Sequence, residues 1–211
     1  MKERIKKRLT SHVSRLTNRG GFTLIELAIV LVIIGIIIGA ILKGGDIIEG
    51  ARHKKLTSEC RKWETLTWAF MDRKGAFPGD FGGDKDGTIE TGENPKTDLT
   101  TAGRFLDPPT VNSVTMGGYT FYLWLGSQTA RKNIIGITND ATTPGAFTDP
   151  ELAYMEAIDT SIDGVSDGTS GRVLACTGSI LNSATWLMTN CTFAAWDTTI
   201  TSLAYFFDRK P

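Results

Sequence analysis

Between residues 22 and 42 the chain reads FTLIELAIVLVIIGIIIGAIL, an apolar run whose one ionisable side chain is Glu26. At 1.5 Å per residue a helix of that length spans roughly 30 Å, enough to cross a bilayer. Gly44 and Gly45 interrupt the run. Each costs a helix interior about 1 kcal/mol relative to Ala, so a bend or local melting is expected there. Beyond them Ile48, Ala51, Leu56, Cys60, Trp63, Leu66 and Phe70 recur at mostly three- and four-residue steps, while Glu49, Arg52, Lys54, Lys55, Glu59, Arg61, Lys62 and Glu64 occupy much of the other side. This periodicity predicts an amphipathic helix with one stripe on a core. Gly75, Pro78 and Gly79 stop it, so the helical region is expected to cover 22–74.

The remainder, 75–211, reads as a β-rich globular domain. Residues 79–116 are rich in Gly, Asp, Thr and Pro with little apolar periodicity, and predict a long connecting loop. Strands are expected at 119–125, 133–138 and 172–176, with shorter ones at 185–188 and 194–196. Residues 150–159 predict a short helix with Asp149 as its cap and Pro150 in its first turn. The fold class is α+β: one long N-terminal helix packed on a mainly antiparallel sheet.

Charge divides the chain unevenly. The 211 residues hold 23 basic and 23 acidic side chains, but residues 1–21 carry seven basic ones (Lys2, Arg4, Lys6, Lys7, Arg8, Arg15, Arg19) against one Glu. A basic tip thus precedes an acidic body with 16 basic and 22 acidic residues. No basic stripe remains outside the tip, so nucleic acid is not an expected partner. Positive charge before the apolar run places the N-terminus in the cytoplasm and the bulk of the chain across the membrane.

A secretory signal would have a shorter apolar core and a small-residue cleavage site beyond it. An ordinary signal anchor leaves Glu26 unexplained, since a central carboxylate costs a membrane helix about 2.5 to 3.5 kcal/mol, less near its end. A buried soluble helix fits poorly with β-branched residues on every side.

The stretch Arg19-Gly20-Gly21-Phe22-Thr23-Leu24-Ile25-Glu26-Leu27 closely resembles the type III signal of type IV pilins and type II secretion pseudopilins. In that family a basic leader ends in Gly, an aromatic residue follows, and Glu stands five positions into the mature chain. The resemblance implies a pilin-like fold, cleavage by prepilin peptidase between Gly21 and Phe22, and N-methylation of the new Phe22 amine. It also implies bacterial inner-membrane insertion with a periplasmic C-terminal domain, followed by assembly through an inner-membrane platform into a pilus or pseudopilus. The partners would be other pilin or pseudopilin subunits, the peptidase and, before assembly, membrane lipid. Glu26 would pair with the N-terminal amine of a neighbouring subunit and set the register, because an unpaired carboxylate near hydrocarbon is unfavourable. The leader is longer than the commonest short ones, and the length of the chain together with its loops suggests a minor subunit.

Two acidic stretches invite a metal. In the first, Asp84, Asp86, Gly87 and Glu93 have part of a calcium-loop spacing. Aligned on Gly87, the first ligand position falls on Gly82, with Asp80 near enough to substitute. Calcium is therefore a candidate cofactor with Asp84, Asp86 and Glu93 as ligands, against a solvated acidic turn. The second stretch holds Asp159, Asp163 and Asp167 between glycines, and reads first as turns whose Asp side chains bond nearby backbone.

Cys60, Cys176 and Cys191 all reach an oxidising compartment in this orientation. Pilins often carry a disulfide near the C-terminus, and the resemblance favours Cys176 with Cys191, worth roughly 3 kcal/mol in the chain-entropy account. Cys60 lies on the helical stripe and reads as a small buried residue. After residue 21 the one histidine is His53, read as a surface residue, so a histidine-based triad or multi-histidine metal centre is hard to assemble. The five tryptophans read as core and subunit contacts. The resulting expectation is a non-enzymatic filament subunit. Its rival is a periplasmic binding protein or enzyme that uses the helix only as a tether.

Overall fold

The computed structural model describes residues 21–208 apart from 104, 106, 107 and 129–131. The basic leader, Lys2 to Arg19, lies outside the described residues. The chain divides into two units, residues 1–47 and 48–211.

Helix α1 (Leu24–Lys74) extends through the second half of the first unit into the second. Gly44 and Gly45 both keep helical backbone, so the expected local melting does not occur. Helix propagation is cooperative, and good helical turns on either side carry the glycine cost. In the first unit every side chain from Phe22 to Leu42 is exposed, which includes a dense series of Ile, Leu and Val. The helix ends one residue before Gly75, with Arg73 and Lys74 in its last turn, where positive charge complements the helix dipole.

Within the second unit α1 buries Leu56, Thr57, Cys60, Trp63, Thr67 and Phe70. Ile48 and Ala51, expected on the same stripe, are exposed, so the covered stripe begins later than the periodicity suggests. Two threonines enter it because each hydroxyl donates to the carbonyl four residues back, Thr57 to His53 at 3.2 Å and Thr67 to Trp63 at 2.9 Å. A polar group satisfied in this way can be buried at little cost.

The stripe packs on an eight-stranded sheet built from β1 (Ser113–Met116), β2 (Tyr119–Gln128), β3 (Lys132–Thr138), β4 (Val173–Thr177), β5 (Ile180–Asn182), β6 (Leu187–Thr189), β7 (Thr192–Ala194) and β8 (Ser202–Phe206). The spatial order is β5-β6-β2-β3-β8-β4-β7, with β1 paired to β2. Neighbours are antiparallel except β2 and β6, which meet in parallel at Leu125 and Leu187. Side chains alternate between two cores with the period of a strand. Phe121, Leu123 and Leu125 of β2, Ile135 and Ile137 of β3, and Leu203 and Tyr205 of β8 join Leu56, Cys60 and Trp63 of α1. Their sequence neighbours Trp124, Ile134, Ala204 and Phe206 form a second cluster with Leu174, Cys176 and Met188. Two glycines permit this second cluster. A Cβ at Gly126 would collide with the Met188 carbonyl, and one at Gly136 with the Met188 sulfur.

Helix α2 (Asp149–Asp163) contributes Tyr154, Met155 and Ile158 to the core shared with α1. Its cap is Thr148 rather than Asp149: a reciprocal capping box joins Thr148 and Glu151, with the Thr148 N–H donating to Glu151 at 2.9 Å. Strand β8 lies outside the expected strands, with all five of its residues buried and its place in the sheet between β3 and β4. The expected strand at 185–188 starts instead at Leu187, because Trp186 takes φ 59, a left-handed conformation outside strand geometry. The expected strand at 194–196 is shifted to β7, which frees Trp196 for a different contact. The expected 79–116 loop contains helical turns at Asp80–Gly82, Pro95–Thr97 and Asp98–Ala102 before β1.

Candidate functional site

Gly21 and Phe22 precede the helix, without regular structure and exposed; Phe22 is 88% accessible. Thr23 stands just ahead of α1, and its backbone N–H and hydroxyl both donate to Glu26 Oε2 at 2.8 Å. The Glu26 N–H returns a bond to the Thr23 hydroxyl at 3.3 Å. This is a capping box, in which the first helical turn satisfies amides that otherwise lack partners. In the single chain Glu26 is therefore already engaged, through a Thr-x-x-Glu spacing that is itself readable in the sequence. The α1 segment that follows is long and apolar enough to cross a membrane.

The first acidic loop follows the exit of α1. Among the described residues, Asp80, Asp84 and Asp86 form a group in which one oxygen from each lies within 4.8 Å of the others. Asp80 is 1% accessible; Asp84 and Asp86 are exposed. Asp80 Oδ2 accepts the Gly87 N–H at 3.1 Å, while buried Oδ1 has no hydrogen-bond partner. Asp84 and Asp86 form short turns, accepting the Asp86 N–H at 3.2 Å and the Thr88 N–H at 2.9 Å. Burial, and then the charges of Asp86 and Asp84, hold the Asp80 carboxyl above the usual aspartate range against the Gly87 hydrogen bond.

Glu93, grouped with Asp84 and Asp86 on sequence spacing, takes a different place. Its Oε2 accepts the Glu90 N–H at 2.7 Å, and its other oxygen lies where a side chain on Gly83 would be. The group of mutually close carboxylates holds Asp80 in its stead. Burial pushes Glu93 up to about 7, opposed by the Glu90 N–H bond and reinforced by the charges of Asp80, Glu90 and Asp84.

Asn133 fastens this loop to the sheet. Wholly buried at the start of β3, it accepts the Ile89 N–H at 2.9 Å and donates to the Gly87 carbonyl and to Asp208 Oδ2, each at 2.9 Å. No sequence spacing pointed to Asn133, because its partners lie 44, 46 and 75 residues away.

The second acidic stretch uses its carboxylates to hold backbone. Asp159 Oδ2 accepts the N–H groups of Asp167 and Gly168 at 3.2 and 3.1 Å and the Trp196 indole N–H at 2.8 Å. Asp163 Oδ2 accepts from Arg172 and Val173 at 2.7 and 2.8 Å. Asp167 accepts the N–H groups of Thr169 and Ser170, both at 2.9 Å, and the Ser170 hydroxyl at 2.6 Å.

Cys176 of β4 and Cys191 are joined by a disulfide with 5.3 Å between their Cα atoms. Cys60 is a free, fully buried thiol whose pKa burial pushes up to about 12, so little reactive thiolate forms near neutral pH. His53 is not a surface residue. It is half-buried against Tyr154, with ring centroids 4.6 Å apart, and lies 3.5 Å from Glu49. Trp63, Trp124 and Trp186 are buried, and Trp68 is 37% accessible.

Residues 16–42 match the family model described as the prokaryotic N-terminal methylation motif, the type IV prepilin signal. Residues 16–20 of that match lie outside the described residues. The matched segment leads into the apolar part of α1, and such a signal points to a structural subunit of the pilin or pseudopilin kind that interacts with prepilin peptidase and with other subunits. No curated protein and no solved structure matches the chain.

Proposed function

We propose that this chain is a subunit of a type IV pilus or type II secretion pseudopilus, held in the bacterial inner membrane by residues 22–42 until assembly. The observation that carries this reading is the methylation motif at 16–42, which takes in the part of α1, up to Leu42, whose apolar side chains are all uncovered. Exposed Ile, Leu and Val in such number need lipid or neighbouring helices around them, because each large apolar side chain gains about 1.5 to 3 kcal/mol on burial.

Prepilin peptidase cuts between Gly21 and Phe22 on the cytoplasmic side and methylates the Phe22 amine. The charge of residues 1–21 keeps that side in the cytoplasm and the unit after the membrane segment in the periplasm. On entry to the filament, Glu26 accepts the N-terminal amine of a neighbour. A carboxylate among apolar helices is stable only with such a cation, so one axial offset is favoured over slipped ones. The work is mechanical: the helices form the filament core and the sheet domain faces outward. The length and individual loops of the chain favour a minor subunit.

Intact-mass measurement on membrane-extracted protein tests the reading. Loss of residues 1–21 together with one added methyl group is expected. A persistent full-length chain would instead favour a tethered periplasmic protein.

A further inference from the structure

We propose that the loop Asp80–Gly87 binds a calcium ion through the carboxylates of Asp80, Asp84 and Asp86. Two observations meet there. The first is spacing: one oxygen from each aspartate lies within 4.8 Å of the others. Calcium takes oxygens at 2.3 to 2.6 Å, so two ligands on opposite sides of one ion stand about 4.6 to 5.2 Å apart. One ion can therefore touch all three with little movement of the loop.

The second is the state of Asp80. Its side chain is 1% accessible, yet Oδ1 has no hydrogen-bond partner. A carboxylate oxygen without a partner away from water costs free energy that a fold does not ordinarily leave uncompensated. Asp159 also carries an unpartnered buried Oδ1, but its Oδ2 receives three donors and no carboxylate group of metal-binding spacing surrounds it among the described residues. Asp80 Oδ2 accepts the Gly87 N–H, and two further carboxylates lie within metal-binding distance of the same group. A cation supplies what Asp80 lacks and neutralises its neighbours at the same time.

The loop is held ready for the ion. Asn133 fixes Gly87 and Ile89 to β3, and the Asp84 and Asp86 turns set the backbone between them. Preorganisation of this kind lowers the ordering cost of binding. Three carboxylates fall short of the six to eight oxygens calcium requires, so carbonyls and water complete the shell. Two of the three side chains are also exposed. The expected dissociation constant is on the order of 10⁻⁴ to 10⁻³ M, the range of extracellular calcium modules. The proposal does not depend on filament assembly.

Thermal unfolding and calorimetric titration of the full chain in detergent micelles test it, with calcium chloride as the probe and a chelator-treated sample as the reference. The expected result is a calcium-dependent rise in melting temperature that saturates at millimolar ion and is abolished in Asp84→Asn and Asp86→Asn. Asp80→Asn should also abolish it; should that buried variant fail to fold, the two exposed ones decide the matter. Asp167→Asn, in the other acidic stretch, should keep the full shift. No shift in the wild-type chain would overturn the proposal. So would an undiminished shift in both Asp84→Asn and Asp86→Asn, or an equal shift with magnesium, which demands a smaller and stricter octahedron.

Discussion

The two ends of α1 are equally helical and have opposite fates. Between Phe22 and Leu42 every side chain is open and apolar residues lie on all sides of the helix, whereas from Leu56 to Phe70 a single stripe is sealed against the sheet and most of the rest is polar. The polar flank of the second part is not idle: Glu64 accepts the Tyr205 hydroxyl at 2.8 Å and approaches Arg172 to 3.8 Å. A helix of one hydrophobic stripe has its partner within its own chain. A helix that is apolar all round must find its partner elsewhere, in lipid or in other copies.

If that contrast is right, substitutions in the open part should disturb assembly and leave the domain's melting alone, and substitutions in the sealed part should do the reverse. Glu26→Val offers the largest expected effect. Cleavage at Gly21 should persist, but incorporation into filaments should fall by roughly two to three orders of magnitude, since the variant leaves a neighbour's amine without its counter-charge among apolar helices. Normal incorporation, scored by immunoblot of sheared filaments, would remove the register role.

Trp63→Ala tests the sealed part. Its indole lies 5.6 Å from that of Trp186 in the core, and truncation should cost about 3 to 5 kcal/mol in chemical denaturation. Ile34→Ala, in the open part, should leave the same transition unmoved. Next in size is the disulfide: replacing Cys176 and Cys191 together by Ala should lower stability by about 3 kcal/mol, read from the same denaturation curves. The two capping boxes give a finer comparison. Thr148→Ala should cost the domain about 1 kcal/mol, while Thr23→Ala should not change its unfolding.

The smallest expected effect concerns pH. Burial, opposed first by the Trp196 bond, raises the Asp159 carboxyl above the ordinary aspartate range. The folded state then keeps a proton that the unfolded chain has released. Stability from this group is complete below the unfolded pKa of about 3.9 and is lost as pH rises through the higher folded value. Asp159→Asn should flatten that decline when denaturation midpoints are compared across the acidic range; an unchanged slope would show that Asp159 does not govern it.

Much of this arrangement was legible along the chain. The apolar run, the stripe from Leu56 to Phe70, the stop at Gly75 and the strands around Trp124 and Ile135 all follow from periodicity and breakers, which act locally. What escaped was settled by distant partners. After Ser202, β8 is a short, uninterrupted apolar run, for which periodicity carries no signal, and it becomes a strand because β3 and β4 flank it. His53 is half-buried because Tyr154 of α2 reaches it. Asp80, near enough in sequence to substitute, does join the acidic group, but Glu93 falls outside it, because the turn at Asp80–Gly82 and the Asn133 clasp bend the loop in a way that linear spacing does not register.

The Thr23 bonds to Glu26 bear on how a filament would come apart. Both donors sit on Oε2, so a neighbour's terminus that took that oxygen would have to displace them, and joining would then be an exchange between partners rather than the rescue of a bare charge. A protomer that returned from such a filament to the membrane would then reclose its own first turn, ready for a second use.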